Sequence, residues 1–171
     1  MKENYDMLKI FSVETNEDLE VVKQLFTVYA DYIFELLCPH SLSLAERLKM
    51  KALNEANNLP GEYVLPQGCI LLAEFEEKIA GCIAVSEIAG NVCELKRLYV
   101  KPQCRRMGIG RKLTEAIIKK AIQLKYERMR LDTNNFFIGA KPLYRSFGFT
   151  ETGHIEGSPL KNSVHMELIL K

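Results

Sequence analysis

The hydrophobic and polar positions of this chain follow distinct rhythms, and each rhythm predicts an element. Residues 8–13 alternate weakly and predict a strand. Thr15 and Asp18 have the spacing of a capping box. Beyond them Leu19, Val22, Leu25, Phe26, Tyr29, Ile33 and Leu36 recur at helical spacing, until Pro39 closes the run. Ser43 and Glu46 repeat the capping signal and open a second helix, carrying Leu44, Leu48, Leu53 and Ala56 to about residue 59. Pro60, Gly61, Pro66 and Gly68 mark a loop. Two apolar runs, 69–75 and 79–86, are separated only by Glu76, Glu77 and Lys78 and predict a hairpin with a largely buried face. A turn at 89–91 leads to a third strand, 92–100, closed by Pro102.

A helix then begins at Gly108 and Gly110 and runs to about Tyr126. Its apolar stripe is Ile109, Leu113, Ala116, Ile117, Ala121 and Leu124, with Arg111, Lys112, Lys119 and Lys120 largely outside it. Residues 129–133 read as a strand. Strand, crossover helix and strand imply a right-handed parallel pair. Residues 137–147 predict a further helix, with Pro142 near its start and Gly148 as its C-terminal cap. Final strands are expected at 149–153 and 163–170, around a loop holding Gly157 and Pro159. The expectation is one α/β (α+β) domain over residues 1–171, a mixed sheet with helices on both faces.

Composition narrows the function classes. With 47% hydrophobic and 26% charged residues the chain has an ordinary globular make-up. A net charge of +1 excludes a whole-chain polycation for nucleic acid or membrane surfaces. No apolar run approaches the ~18 residues of a membrane span. Residues 1–6 are polar and lack the apolar centre of a signal peptide, so the cytoplasm is expected. Five cysteines without a C-x-x-C pair predict core thiols rather than disulfides or a zinc site. His40, His154 and His165 show no metal-ligand spacing, so no metal is expected and structural or surface roles are.

Charge is concentrated at one place. Between Lys96 and Lys112 stand seven Lys or Arg residues and no acid. At its centre is Arg105-Arg106-Met107-Gly108-Ile109-Gly110, where a turn becomes a helix. Glycine permits close backbone approach, and the first N–H groups of a helix are unpaired and electropositive, which makes an anion site. A dinucleotide fingerprint fails because Leu113 stands where the third glycine would be; a P-loop fails because no Gly-Lys-Ser/Thr occurs. A solvated basic face around a simple turn is the plain alternative. What fits is [QR]-x-x-G-x-[GA] directly after a strand.

On that turn, and on Ala140-Lys141-Pro142-Leu143-Tyr144-Arg145-Ser146-Phe147-Gly148-Phe149, which is similar to an A-x-x-L-Y-x-x-x-G-F segment, the sequence resembles the GNAT superfamily of acetyl-coenzyme A-dependent N-acetyltransferases. The resemblance covers most of the chain. It implies a mostly antiparallel, twisted sheet of six to seven strands flanked by about four helices. It further implies that the amides of 106–111, with Arg105, Arg106 and Arg111, hold the phosphates of acetyl-coenzyme A. Leu98, Tyr99 and Val100 then pair with its pantetheine arm by β-augmentation. The cofactor-binding set is therefore Leu98, Tyr99, Val100, Arg105, Arg106, Met107, Gly108, Ile109, Gly110, Arg111, Thr133 and Tyr144. Family members often carry Asn seven residues before the tyrosine. Here Phe137 stands there, and Asn134 and Asn135 are nearby candidates for cofactor contact.

The implied reaction is direct attack by an amine on the thioester. Tyr144 matches the family tyrosine that protonates the leaving thiolate; a satisfied core aromatic is the alternative. Glu94, on the strand before the turn, matches a general base of one branch; a structural ion pair to Lys96 or Arg97 is the alternative. Strict alternation would put Glu94, Lys96, Leu98 and Val100 on one face. The two N-terminal helices and the following loop commonly wall the acceptor site, making Tyr29, Tyr32 and Tyr63 candidates; core packing of the first helix is the alternative for Tyr29. The partners implied are acetyl-coenzyme A and an amine acceptor, with no nucleic acid or membrane. A homodimer is the oligomer the resemblance suggests. A non-catalytic acyl-coenzyme A binding or sensing module is the alternative function.

Overall fold

The structure is a computed structural model that describes residues 7–156 and 163–171. The expected loop at Gly157 and Pro159, and the N-terminal residues 1–6, lie outside the described residues. In chain order the elements are β1 (Leu8–Ser12), α1 (Asn16–Leu37), α2 (Leu42–Asn57), β2 (Gly68–Phe75), β3 (Lys78–Ala89) and β4 (Val92–Val100). They continue with α3 (Ile109–Gln123), β5 (Arg128–Thr133), α4 (Ala140–Ser146), β6 (Thr150–His154) and β7 (Val164–Ile169). The seven strands form one sheet in the order β1-β2-β3-β4-β5-β7-β6. Every neighbouring pair is antiparallel except β4–β5. Among the described residues no helix is long and apolar enough to cross a membrane.

Local chemistry explains most boundaries. The capping box at Thr15 forms in both directions: the Asp18 amide donates to Thr15 Oγ1 and the Thr15 amide donates to Asp18 Oδ2, each at 3.1 Å. The second expected box does not form. Helix α2 starts at Leu42, its N-cap Ser41 makes no side-chain hydrogen bond, and Ser43 is already inside the first turn. The β2–β3 turn uses Glu76 and Glu77, both at positive φ (50° and 62°). Helix α3 stops at Gln123, short of the expected Tyr126, because Lys125 turns to φ 69°. Helix α4 starts at Ala140, three residues later than residue 137, behind Gly139 at φ 84°.

The sheet is buried on both faces. On one, Leu71, Ile83, Leu95, Leu113, Ile117 and Met129 belong to the cluster beneath α3 and α4. On the other, Val22, Phe26, Leu72, Ala84 and Tyr99 pack beneath α1 and α2. Continuous burial along β2 and β3 explains why their sequences are unbroken apolar runs rather than alternating ones.

Two irregularities in β4 shape the interior of the molecule. First, it pairs with β5 only from Val92↔Arg128 to Glu94↔Arg130; beyond Glu94 the strands part and the β5-facing edge of β4 has no strand partner among the described residues. Second, Ala84 pairs with Lys96 and Cys82 with Tyr99, so Arg97 and Leu98 oppose the single residue Ile83. This is a β-bulge, and Arg97 takes φ 58° within it. A Cβ on Gly81 would lie 2.4 Å from the Tyr99 carbonyl oxygen, so only glycine admits this approach of β3 to the bulge.

The bulge overturns the expected shared face. Cys93 and Leu95 belong to the α3-side cluster, and beyond the bulge Leu98 and Val100 pack against that same cluster, while Tyr99 joins the α1 side. Glu94 and Lys96 therefore share a side with Tyr99, not with Leu98 and Val100. The extra residue reverses the two-residue alternation.

Candidate active site

The parting of β4 from β5 opens a cavity of about 760 Å³. It is lined by β4 and the end of β5, by the Gly108 turn, by α1 and α2, and by α4 with Tyr144. Every residue of the expected set lines it except Met107: Glu94, Leu98, Tyr99, Val100, Arg105, Arg106, Gly108, Ile109, Gly110, Arg111, Thr133 and Tyr144. Only the Met107 side chain stands apart from the expected set. It is 49% exposed and outside the lining, since the left-handed Arg106 and Gly108 on either side of it turn it outward.

The turn itself suits an anion. Gly108 is the N-cap of α3 at φ 78°, a conformation that favours glycine. Gly110 has no such strain: a Cβ there would meet only the Val100 side chain, at 3.7 Å. The Arg106, Met107 and Gly108 amides have no backbone partner among the described residues. Those of Ile109, Gly110 and Arg111 are the first of a helix and have no internal acceptor. Arg105 donates from Nε to the Val100 carbonyl at 3.1 Å, and its guanidinium lies 4.9 Å from the Tyr32 ring centre. Arg111 donates to Ser146 Oγ at 2.8 Å and lies 4.9 Å from the Phe147 ring. None of Arg105, Arg106 and Arg111 meets a carboxylate among the described residues, so their charge is available to a ligand.

Tyr144 projects from α4 into the core side of the cavity, 7% exposed, its ring 5.6 Å from that of Phe149. Its hydroxyl makes no hydrogen bond to a described residue, yet no described buried side-chain oxygen or nitrogen is orphaned, so this hydroxyl opens on the cavity. Burial, and then the repulsion a Tyr144 phenolate would meet from that of nearby Tyr29, push its pKa above the ordinary 10. It is a phenol held protonated. Glu94 is on the cavity wall with its side chain 32% exposed, and Lys96 Nζ lies 3.7 Å from its carboxylate.

Beneath Glu94 lies a polar cluster that sequence reasoning missed. Arg97 donates from Nε and Nη2 to the two oxygens of Glu55, at 2.8 and 2.6 Å. The Tyr63 hydroxyl donates to Glu55 at 2.8 Å, and Lys96 reaches Glu62 at 2.5 Å and Glu55 at 3.9 Å. Burial raises the Glu55 pKa, but the bonds and charge of Arg97, then Lys96 and Tyr63, outweigh it and hold the carboxyl below its ordinary value. Tyr63 is thus a buried partner of Glu55 and does not line the cavity, contrary to the expectation of an acceptor-wall residue. Tyr29 and Tyr32 do line it, packed at 6.2 and 6.1 Å on the Tyr99 ring.

The remaining expected residues divide. Asn134 lines the cavity, but its side chain accepts the Phe136 amide at 2.9 Å; Phe137 also lines it, and Asn135 does not. His165 is paired with Asp132 at 2.6 Å, and His40 stacks on Phe136 at 4.1 Å. Cys69, Cys82 and Cys93 are buried, and burial pushes their thiols up to about 11, 12 and 12. Cys104 is half-buried on the cavity wall.

Solved structures share this architecture. A GNAT-family acetyltransferase from Staphylococcus aureus aligns with TM-score 0.69 at 19% identity, covering 96% of this chain and 99% of that one. The PaiA N-acetyltransferase of Thermoplasma acidophilum, solved in complex with coenzyme A, aligns with TM-score 0.69 at 22% identity, covering 95% and 98%. In sequence, an uncharacterized N-acetyltransferase of Schizosaccharomyces pombe is 39% identical over 117 residues, 67% of this chain and 72% of that protein. Residues 30–149 match the model of the acetyltransferase (GNAT) family. The fold is thus that of an N-acetyltransferase. The chain belongs to the GNAT acetyltransferase family.

Proposed function

We propose that this protein transfers the acetyl group of acetyl-coenzyme A to an amine by direct attack within a ternary complex. One observation carries the reading: a single cavity joins the unpaired helix-terminal amides and arginines of the Gly108 turn to the open edge of β4 and to the Tyr144 hydroxyl. The diphosphate and 3′-phosphate of the donor suit the first, the amide-bearing pantetheine arm suits the second, and the thioester sulfur then lies toward the third. A neighbour of the same fold was solved with coenzyme A, which supports coenzyme A chemistry for the donor.

In this scheme the acceptor nitrogen attacks the thioester carbonyl carbon, the C–S bond breaks, and the amine gives up a proton. Tyr144 donates its hydroxyl proton to the departing sulfur, releasing coenzyme A as the thiol. Glu94 takes the amine proton, directly or through water. A backbone amide of β4 near residues 98–100 stabilises the oxyanion. Thr133, at the end of β5, borders the donor arm.

The test is release of free thiol from acetyl-coenzyme A across an amine panel. Thiol release that depends on the amine supports the reading; tight coenzyme A binding with no release for any amine would indicate a sensing module instead. Glu94→Gln is expected to lower turnover by about a hundredfold while acetyl-coenzyme A affinity stays within about twofold. Unchanged turnover and an unchanged pH–rate profile would remove Glu94 from the mechanism. A second check needs no acceptor. At pH 8 a thiol reagent is expected to reach Cys38 and Cys104 and to spare Cys69, Cys82 and Cys93, whose thiols burial holds protonated. Bound acetyl-coenzyme A should slow the labelling of Cys104, read by mass spectrometry. Equal labelling with and without it would place the donor elsewhere.

A further inference from the structure

The acceptor side of the cavity carries charge that the transfer scheme does not use. Arg47, Lys51 and Glu55 stand four residues apart on α2, so they form one stripe along the helix. Its three charges meet different fates. Glu55 is consumed by Arg97, with Tyr63 and Lys96 in support. Arg47 and Lys51 both line the cavity, and neither makes an ion pair with a described residue. Lys49, on another side of the same helix, does have a partner, Asp31 at 2.8 Å. The two unpaired cations are thus the ones turned to the cavity.

The other charges of the lining sharpen the contrast. Lys96 and Arg97 are committed to carboxylates, and Arg105, Arg106 and Arg111 stand at the donor end. Of the lining acids, Glu94 faces Lys96 and Asp132 is held by His165. Glu156 has no ion-pair partner among the described residues, one negative charge against two positive. Lys51 stands one helical turn before Glu55, which grips the β4 bulge three residues beyond Glu94, so the cations overlook the strand on which transfer is proposed.

We infer that the acceptor is an amine that also bears an anionic group, a carboxylate or a phosphate-like acid, and that Arg47 and Lys51 bind this anion. The inference rests on the acetyltransferase reading and adds its substrate class. Arg47 supplies a planar set of donors and Lys51 a point charge, a pair that suits a compact oxyanion. Their positive charge also disfavours an ammonium beside them, helping the acceptor nitrogen to be neutral when it attacks.

The test compares initial rates of thiol release for three matched sets: α-amino acids, the corresponding aminophosphonic acids, and the same amines without the acid group. The acid-bearing sets are expected to exceed the acid-free set about ten- to hundredfold in kcat/KM. The better of the two identifies the anion. In Arg47→Gln/Lys51→Gln that selectivity ratio should fall to near one, with an unchanged melting temperature because both side chains are exposed. Equal rates for acid-free amines, or a ratio that survives the double substitution, would overturn the inference. Should acetyl-coenzyme A bind but no amine release thiol, the acetyltransferase reading fails by itself. The anion site is then read by calorimetry, titrating the coenzyme A-loaded protein with N-acetylalanine and with N-ethylacetamide. Binding of the first alone, lost in the double variant, upholds the site; no such difference rejects it.

Discussion

Tyr144→Phe is expected to reduce turnover about a hundredfold or more while leaving the protein folded. The magnitude follows from the work assigned to the hydroxyl: a positioned acid that protonates a leaving group contributes on the order of 10²–10⁴ in rate. The intact fold follows from its surroundings. The ring packs on Phe149, which phenylalanine reproduces, and the hydroxyl makes no hydrogen bond to a described residue, so its loss leaves no protein partner stranded. The melting temperature should stay within about 2 °C of the parent. The pH profile provides a second readout. Because burial, and then Tyr29, raise the Tyr144 pKa above 10, the phenol remains protonated through the neutral and mildly alkaline range. The parent should show no alkaline loss from this group below its ordinary value. Turnover within about twofold of the parent would dismiss Tyr144 as the acid and leave it as core packing.

Glu55→Ala carries the largest expected cost in stability. Glu55 and Arg97 keep only 15% and 11% of their side chains exposed. Removing one partner leaves the other charge buried and uncompensated, which costs about 3–5 kcal/mol. In a chain of this size that lowers the melting temperature by roughly 6–20 °C. Arg97 also sits at φ 58°, a conformation that a non-glycine residue keeps only when its surroundings impose it. Freed from Glu55, the bulge relaxes, and turnover should fall as well, since the bulge decides where Glu94 and residues 98–100 face. Acid gives an independent reading. The folded Glu55 pKa lies below its ordinary value of 4.5, so the unfolded chain takes up the proton more readily. The stabilisation is complete above about 4.5 and is lost as pH falls through the folded value. Glu55→Gln should remove that part of the acid destabilisation. A denaturation midpoint for Glu55→Ala matching the parent would show that the pair is replaceable.

Much of the glycine-turn end of the cavity is legible in the sequence alone. The bounds of β4, the Arg105–Gly110 turn and the Tyr144 segment are each written in contiguous residues, where helical period, strand length and glycine placement act locally. The Thr15 capping box is legible for the same reason. The Ser43 box is not, because a helix start depends on where the preceding turn releases the chain, and the bend after Pro39 releases it at Ser41. The same limit applies to the Met107 side chain, which faces outward although its amide belongs to the turn.

The bulge marks where local reading ends. Alternation along β4 predicts one face for Glu94, Lys96, Leu98 and Val100; pairing with β3 inserts an extra residue and turns the last two to the other side. Nothing within 92–100 announces this, because the register is set by Gly81 and Ile83 on the neighbouring strand and by Glu55 on α2. Tyr63 shifts from expected cavity wall to buried partner for the same reason. What the sequence alone determined is the glycine turn, the tyrosine segment and the order of the elements, all set by interactions between near neighbours. The tertiary structure alone decided that β4 and β5 part after Glu94, which face Glu94 shares, and that Arg47 and Lys51 border the cavity. Those outcomes depend on contacts between residues far apart in the chain, and they appear only when the helices are laid against the sheet.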